Sequence, residues 1–145
     1  MEYLDDQGCF VCGQQNPHGL RLDFAPEGSA GVRTSFTIPA RFQGFAGLAH
    51  GGLLAMILDE CMVNTVWLRG VTAVTTRFEM RLRQPVRLGV RVTFLAQVIR
   101  ESAKGFKVES RAELDDGTLV AEGKALLVRV AGRANRILPV MAPRG

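Results

Sequence analysis

The chain has 145 residues, of which 47% are hydrophobic and 22% are charged. This length and composition are typical of one globular domain with its own core, and we expect a single domain over residues 1–145. The net charge of +4 comes without a basic cluster or the interleaved aromatics of a nucleic-acid groove, so we expect no nucleic-acid partner. Apolar runs stay shorter than the roughly 18 residues of a membrane span, so we expect no membrane association.

The cysteine content and the N-terminus predict a cytoplasmic protein. Three cysteines are an odd number, which argues against the disulfide framework of a secreted domain. The first ten residues, MEYLDDQGCF, are acidic and lack the basic start of a signal peptide.

Residues 1–19 are predicted to form an irregular lead segment, because CFVCGQQNPHGL is rich in turn-forming residues. Cys9 and Cys12 have the spacing of half a zinc knuckle, but the second half is missing. We therefore interpret both cysteines as small side chains packed in a loop. We expect no metal site and no redox pair.

Two short strands and a loop are predicted next. LRLDF (20–24) alternates between apolar and polar residues, and so does GVRTSFTI (31–38), which places Val32, Phe36 and Ile38 on one face. Residues 40–52 contain four glycines and predict a loop with unusual backbone freedom.

A long helix is predicted from about residue 52 to about residue 68. LLAMIL consists of good helix formers, and Gly70 suits the position just after the helix. The helix is apolar nearly all round, so it needs cover on more than one side.

Four long strands then alternate between apolar and polar residues, at 74–82, 90–98, 106–114 and 118–130. DDG at 115–117 indicates a hairpin turn. In the first of these strands, strict alternation places Val74, Phe78, Met80 and Leu82 on the core face. Residues 132–145 are interpreted as a C-terminal tail.

The order of these elements predicts an α+β fold, in which an antiparallel sheet of about five to six strands wraps round one long central helix. Part of the helix and one sheet edge would stay uncovered in a single chain. We therefore expect a homo-oligomer.

The stretch GLAHGGLLAMILDE (47–60) holds the candidate chemistry. Asp59 shares its helical face only with apolar neighbours, Ala55, Met56, Met62 and Val63, and a poorly solvated carboxylate there suits a general base or a nucleophile. The alternative is a solvent-facing acid at a helix edge. Glu60 is rotated from Asp59 by about 100° and receives no role.

Gly51 and Gly52 offer backbone N–H groups at the helix start, where a carbonyl oxygen can approach closely. The alternative is a plain glycine-rich helix entry. His50 can act as a base, as a donor or as a packing residue.

HGGLLAMILDE followed by VTTRFEMRLRQPVRLG resembles the hotdog-fold acyl-CoA thioesterases, which include the phenylacetate-pathway and 4-hydroxybenzoyl-CoA thioesterases. CFVCGQQNPHGLRLDF is similar to a lead segment in one branch of that superfamily. The resemblance implies a hotdog fold that hydrolyses an acyl-CoA thioester to free acid and coenzyme A. Coenzyme A is then part of the substrate, and no cofactor is expected.

The resemblance also implies residue roles. Asp59 takes the position of the catalytic carboxylate, either as general base or as nucleophile, and Gly51–Gly52 takes that of the N–H group that polarises the thioester carbonyl. Thr75 matches a hydroxyl that helps to place the water. The site would lie at a dimer interface, in a homodimer or a homotetramer built as a dimer of dimers.

Three positions depart from the pattern or from the sheet parity. A polar amide expected six residues before the histidine is replaced by Gly44, with Gln43 next to it as a possible substitute, and a hydroxyl expected one turn after the acid is Val63. Thr75 falls on the Arg77 side of its strand, so either the strand has a local bulge or Thr75 has a different role.

Substrate contacts are expected at both ends of the ligand. Phe45, Met56 and Met62 are candidates for an acyl pocket, with the helix core as the alternative for the apolar helical residues. Arg81 and Arg83 can meet the phosphates of coenzyme A, with a solvated sheet face as the alternative.

Two other functions remain open on the same fold. One is an acyl-thioester hydratase or dehydratase, for which His50 would act with an acid. The other is a non-catalytic regulator that binds acyl-CoA, because a fold does not fix a function.

Overall fold

The structure, a computed structural model, describes residues 2–131. Its six strands form one antiparallel sheet in the order β1-β2-β4-β5-β6-β3, and its one α-helix is α1. The elements in chain order are β1 (Ala25–Glu27), β2 (Gly31–Thr37), a 3₁₀ turn (Ala40–Phe42), α1 (Gly51–Trp67), β3 (Ala73–Leu82), β4 (Arg91–Glu101), β5 (Gly105–Leu114) and β6 (Leu119–Arg129). The predicted tail at 132–145 lies outside the described residues.

The predicted helix and the four long strands are confirmed, as is the sheet that wraps one helix. The predicted strand at 20–24 is wrong. This segment pairs with the lead segment instead of the sheet: the N–H groups of Leu20 and Leu22 donate to the carbonyls of Phe10 and Val11, both at 2.9 Å. Its alternation arises because Leu20, Leu22 and Phe24 point into the core, with exposures of 9%, 7% and 8%.

Helix α1 lies on the inner face of the sheet, and most of its apolar side chains are buried. Its fully or almost fully buried residues include Leu54, Ile57, Leu58, Cys61, Met62 and Val66. Gly123 in β6 makes room for this packing, since a Cβ there would lie 3.1 Å from Phe78 and 3.4 Å from the Met62 methyl group. The lead segment covers another part of the helix, where Cys9 and Cys12 contact Glu60.

Strand β3 lies at one edge of the sheet and contains a bulge. Thr75 pairs with Leu127 and Arg77 pairs with Leu126, so Thr76 is an extra residue. On the N-terminal side of the bulge, the residues that face the core are therefore not the predicted ones. Ala73 is 6% exposed and Thr75 contacts the helix, whereas Val74 does not lie on the core face. The strict alternation predicted for β3 is therefore wrong at Val74 and right at Phe78 and Met80.

Within residues 2–131, no helix combines the length and hydropathy required to cross a membrane.

Candidate functional site

Asp59 and Thr75 form a hydrogen-bonded pair between the middle of α1 and the start of β3. The Thr75 hydroxyl donates to Asp59 Oδ1 at 2.7 Å, and both residues are partly buried. The bulge at Thr76 turns the Thr75 side chain toward the helix. Within residues 2–131, Asp59 Oδ2 has no hydrogen-bond partner and no cation pairs with the carboxylate. A carboxylate that is oriented through one oxygen can take a proton from water with the other.

His50 is the N-cap of α1. Its backbone is extended, with φ −65° and ψ 130°, and its Nδ1 accepts a hydrogen bond of 2.8 Å from the Gly52 N–H. Since Nδ1 accepts, the proton of the neutral ring sits on Nε2. The sequence does not predict this capping role, because histidine is not among the preferred N-cap residues.

The cap distinguishes the two glycines that were predicted as donors. The Gly52 N–H is already bound to His50, whereas the Gly51 N–H has no hydrogen-bond partner within residues 2–131. Gly51 is therefore the free donor at this end of the helix. A Cβ at Gly51 would lie 2.9 Å from Leu82 Cδ1, so the end of β3 lies beside the helix start.

The loop before the helix is held by its own hydrogen bonds. Gln43 Oε1 accepts from the Gly47 N–H at 2.9 Å, and Gln43 and Ala49 form an isolated β-bridge. The Gln43 side-chain oxygen is thus used in the loop, which leaves its amide nitrogen for a ligand. Phe45 stands out from this loop with 86% of its surface exposed.

The other predicted contact residues are spread over the molecule. Met62 is fully buried in the core, as the alternative interpretation expected, while Met56 is only partly buried. Directly after β3, Arg83 Nε donates to Glu122 at 2.7 Å. On β3 itself, Arg81 is exposed without an ion pair in the described part of the chain.

The structure does not bring the two halves of the predicted site together within one chain. Gly51 and Asp59 are eight residues apart on one helix, which corresponds to about 12 Å along its axis. The helix start with its free N–H group and the Asp59–Thr75 pair are therefore two separate places on the protomer.

Glu60 lies in a second polar cluster with Cys9 and Cys12. Its Oε1 is 3.1 Å from Cys12 Sγ and 3.5 Å from Cys9 Sγ. Asn64 Nδ2 donates to the same oxygen at 3.4 Å and to the Glu60 backbone carbonyl at 2.9 Å. No sequence pattern links residues 48 positions apart, so this cluster was not predicted.

The protonation of this cluster is strongly perturbed. Burial, followed by the negative charge of Cys9, raises the pKa of Glu60 to about 7. The hydrogen bond with Cys12 lowers the pKa of Cys9 to about 5, and that same bond together with burial raises the pKa of Cys12. Cys9 is thus the sulfur that carries negative charge most readily.

Comparison with known proteins gives a family and several similar structures. The family model of the thioesterase superfamily matches residues 46–121, more than half of the chain. A crystal structure of a thioesterase superfamily protein is 21% identical with a TM-score of 0.77 over 83% of this chain, and the chain spans 62% of that protein's length. A search of curated proteins gave no significant match.

Two further structures are similar over most of both chains. The E. coli PaaI protein from the phenylacetic acid degradation operon is 19% identical, with a TM-score of 0.72 over 77% of this chain and 81% of its own. A hypothetical thioesterase from Streptococcus pneumoniae TIGR4, with coenzyme A, is 15% identical, with a TM-score of 0.72 over 77% of this chain and 88% of its own. The matching family model and the six-stranded antiparallel sheet round one helix show that the chain belongs to the thioesterase superfamily and has the hotdog fold.

Proposed function

We propose that this protein hydrolyses an acyl-CoA thioester to a free acid and coenzyme A. The observation that carries the proposal is the hydrogen bond from Thr75 to Asp59, which orients a partly buried carboxylate and leaves one of its oxygens for water. The superfamily membership supports the reaction class.

The similar Streptococcus pneumoniae thioesterase adds support for the ligand and for the pair. Its structure is described with coenzyme A, and alanine variants of it replace an aspartate and a threonine that are 16 residues apart. Asp59 and Thr75 have the same separation of 16 residues.

In the proposed reaction, Asp59 accepts a proton from a water molecule while the water oxygen attacks the thioester carbonyl carbon. The negative charge that develops on the carbonyl oxygen is stabilised by the Gly51 N–H. When the tetrahedral intermediate collapses, the C–S bond breaks and the thiolate of coenzyme A takes up the proton. Direct attack by Asp59, with a transient anhydride that water then hydrolyses, gives the same products.

We propose that two chains build each site, because Gly51 and Asp59 of one chain are about 12 Å apart. The free N–H of Gly51 would then face Asp59 of the partner subunit. The ten-residue edge strand β3 and the exposed apolar side chains of Phe45 and Leu82 offer a surface for this contact. Phe45 and Met56 would line the pocket for the acyl chain, and Arg81 would contact the phosphates of coenzyme A.

The test is thiol release from a panel of acyl-CoA thioesters that differ in chain length and in aromatic character. We expect turnover with the wild type and a loss of about 100-fold or more in Asp59→Asn, the range of general-base catalysis. Glu79→Gln, an exposed acid on β3, is the matched control. Conversion of an enoyl-CoA without thiol release would show a hydratase instead, and binding without turnover would show a regulator.

A further inference from the structure

Cys9, Cys12 and Glu60 form a compact cluster that the proposed hydrolysis does not use. The two sulfurs and one carboxylate oxygen all lie within 4.8 Å of one another. Asp59, the neighbour of Glu60, points instead to Thr75 on β3. The cluster is thus a separate place, between the lead segment and the helix.

The surroundings of Glu60 lack a positive charge. Glu60 is partly buried, and within residues 2–131 no lysine, arginine or histidine forms a salt bridge with it. A buried carboxylate is costly unless a cation or several donors compensate it. The contacts it has are two thiol groups and the Asn64 amide.

The backbone holds the two sulfurs side by side. The Gly13 N–H donates to the Cys9 carbonyl at 2.9 Å, and a Cβ at Gly13 would lie 2.4 Å from the Cys9 nitrogen, so this tight turn requires glycine. The Cys12 N–H points to Cys9 Sγ at 3.5 Å. Hydrogen bonds of this kind, like that of Asn64 to Glu60, orient metal ligands in proteins.

We infer that Cys9, Cys12 and Glu60 bind a Zn²⁺ ion. Zinc accepts thiolate and carboxylate ligands, at about 2.3 Å for sulfur and about 2.0–2.2 Å for oxygen. A tetrahedral ion with these bond lengths separates a sulfur from an oxygen ligand by about 3.6 Å. The observed separations from Glu60 Oε1 are 3.5 Å for Cys9 and 3.1 Å for Cys12, so the ligands need only small shifts.

Three protein ligands leave one coordination position. Within residues 2–131, no further histidine, cysteine or acid joins the cluster, so water fills this position. The ion joins the lead segment to α1 through Cys12 and Glu60, which are 48 residues apart in the chain. Glu60 is the residue directly after Asp59. The role of the ion is therefore to hold the lead segment against α1. This role does not depend on the proposed hydrolysis.

The test uses the full chain, reduced and freed of metal by a chelator, and titrated with Zn²⁺ and separately with Co²⁺. We expect about one Zn²⁺ per chain and, with Co²⁺, the charge-transfer absorption of a metal–thiolate bond. Reduced wild type that gives no such absorption would overturn the proposal. So would a Cys9–Cys12 disulfide that forms while Zn²⁺ is present in excess.

Single substitutions identify the ligands. Cys12→Ser and Glu60→Gln should each weaken Zn²⁺ binding by at least about 10-fold, the loss found even for residues that only orient a ligand. The matched controls are Cys61→Ala, the third cysteine, and Asp59→Asn, the neighbouring acid, and both should bind Zn²⁺ like the wild type. If Glu60→Gln binds as tightly as the wild type while Asp59→Asn does not, the assignment of the acid is wrong.

Discussion

Thr75 donates a 2.7 Å hydrogen bond to Asp59 because β3 contains one residue more than its partner strand at Thr76. Without the bulge, Thr76 would occupy the inner face and the hydroxyl of Thr75 would point away from the helix. The orientation of the candidate base is thus set by a backbone irregularity in the sheet.

Replacing Thr75 by valine should lower kcat for thioester hydrolysis by about 10- to 100-fold. Valine keeps the shape but removes a hydrogen bond to a charged group, which contributes about 1.5–3 kcal/mol. Steady-state kinetics on the best substrate of the panel measures the loss.

Thr76→Val is the matched control, since this neighbouring hydroxyl donates to the Leu126 carbonyl at 3.2 Å and is exposed. It should change kcat less than about twofold. Equal losses in the two variants would mean that the bulge, and not the bond to Asp59, sets the activity.

The substitution Gly51→Pro removes the free backbone N–H of this residue with little other change to the backbone. Proline suits the first helical position, and the extended backbone of His50 is the conformation that a residue before proline prefers. We expect Gly51→Pro to lower kcat by about 100- to 1,000-fold, as for the loss of one oxyanion donor. Gly51→Ala adds a Cβ near Leu82 but keeps the N–H, and it should retain most of the activity.

Mixing two inactive chains tests whether one site uses two subunits. If the Gly51 donor and Asp59 come from different chains, a dimer of Gly51→Pro with Asp59→Asn contains one site with both defects and one intact site. Co-refolded mixtures should regain up to about a quarter of the wild-type activity, since half of randomly paired dimers are mixed. No recovery in mixed dimers isolated by two different tags would contradict a shared site.

His50 should matter for stability through its cap. His50→Ala removes the acceptor for the Gly52 N–H and should lower the free energy of unfolding by about 1 kcal/mol, and His50→Asn should restore most of it because asparagine caps well. Denaturant unfolding measures both variants. An active and stable His50→Asn excludes proton transfer by this histidine, whereas a stable but inactive one would assign it a chemical role.

The raised pKa of Glu60 predicts a pH dependence of stability in chains that bind no metal. The buried carboxylate binds its proton more tightly when folded, so its contribution is complete below pH 4.5, the ordinary pKa, and is lost as the pH rises through about 7. The thiols that face it are Cys9 and Cys12, and the neighbouring acid Asp59, which points to Thr75, acts on it only through its charge. We therefore choose the Cys9→Ser, Cys12→Ser chain, which also removes the titration of the thiols.

In that chain, burial still raises the pKa of Glu60, but the contribution of the Cys9 charge is gone. The free energy of unfolding should therefore fall by up to about 1.4 kcal/mol per pH unit as the pH rises above 4.5, relative to the same chain with Glu60→Gln. The comparison cancels the other acids, which both chains share. Parallel curves for the two chains would show that Glu60 is ionised and well solvated when folded.

Patterns within single elements predicted most of the fold. A run of good helix formers that ends before Gly70 predicted α1, and the two-residue period predicted β3 to β6, because burial of one sheet face produces that period. The same logic failed at Leu20, Leu22 and Phe24, where alternating core contacts occur without a sheet partner. Alternation alone does not distinguish an extended loop on the core from a strand.

The residues of the candidate site were predicted where they belong to one local motif, whereas contacts between distant segments were not predicted. Asp59, Gly51 and Thr75 follow from the resemblance, and the bulge that Thr75 required is present. The cap by His50 is local but uses an unusual residue type. The contact of Glu60 with Cys9 and Cys12 depends on how the lead segment folds over the helix, which no local pattern encodes.

Asp59 and Glu60 are consecutive residues whose side chains lie on different sides of one helix, one toward β3 and one toward the lead segment. Because each residue turns the helix by about 100°, adding or deleting one residue between Gly51 and Asp59 would direct both acids away from their partners at once. The contact of Asp59 with Thr75 and the contact of Glu60 with Cys12 thus each require the present length of this helical segment. An engineered change of length here should disable hydrolysis and zinc binding in a single step.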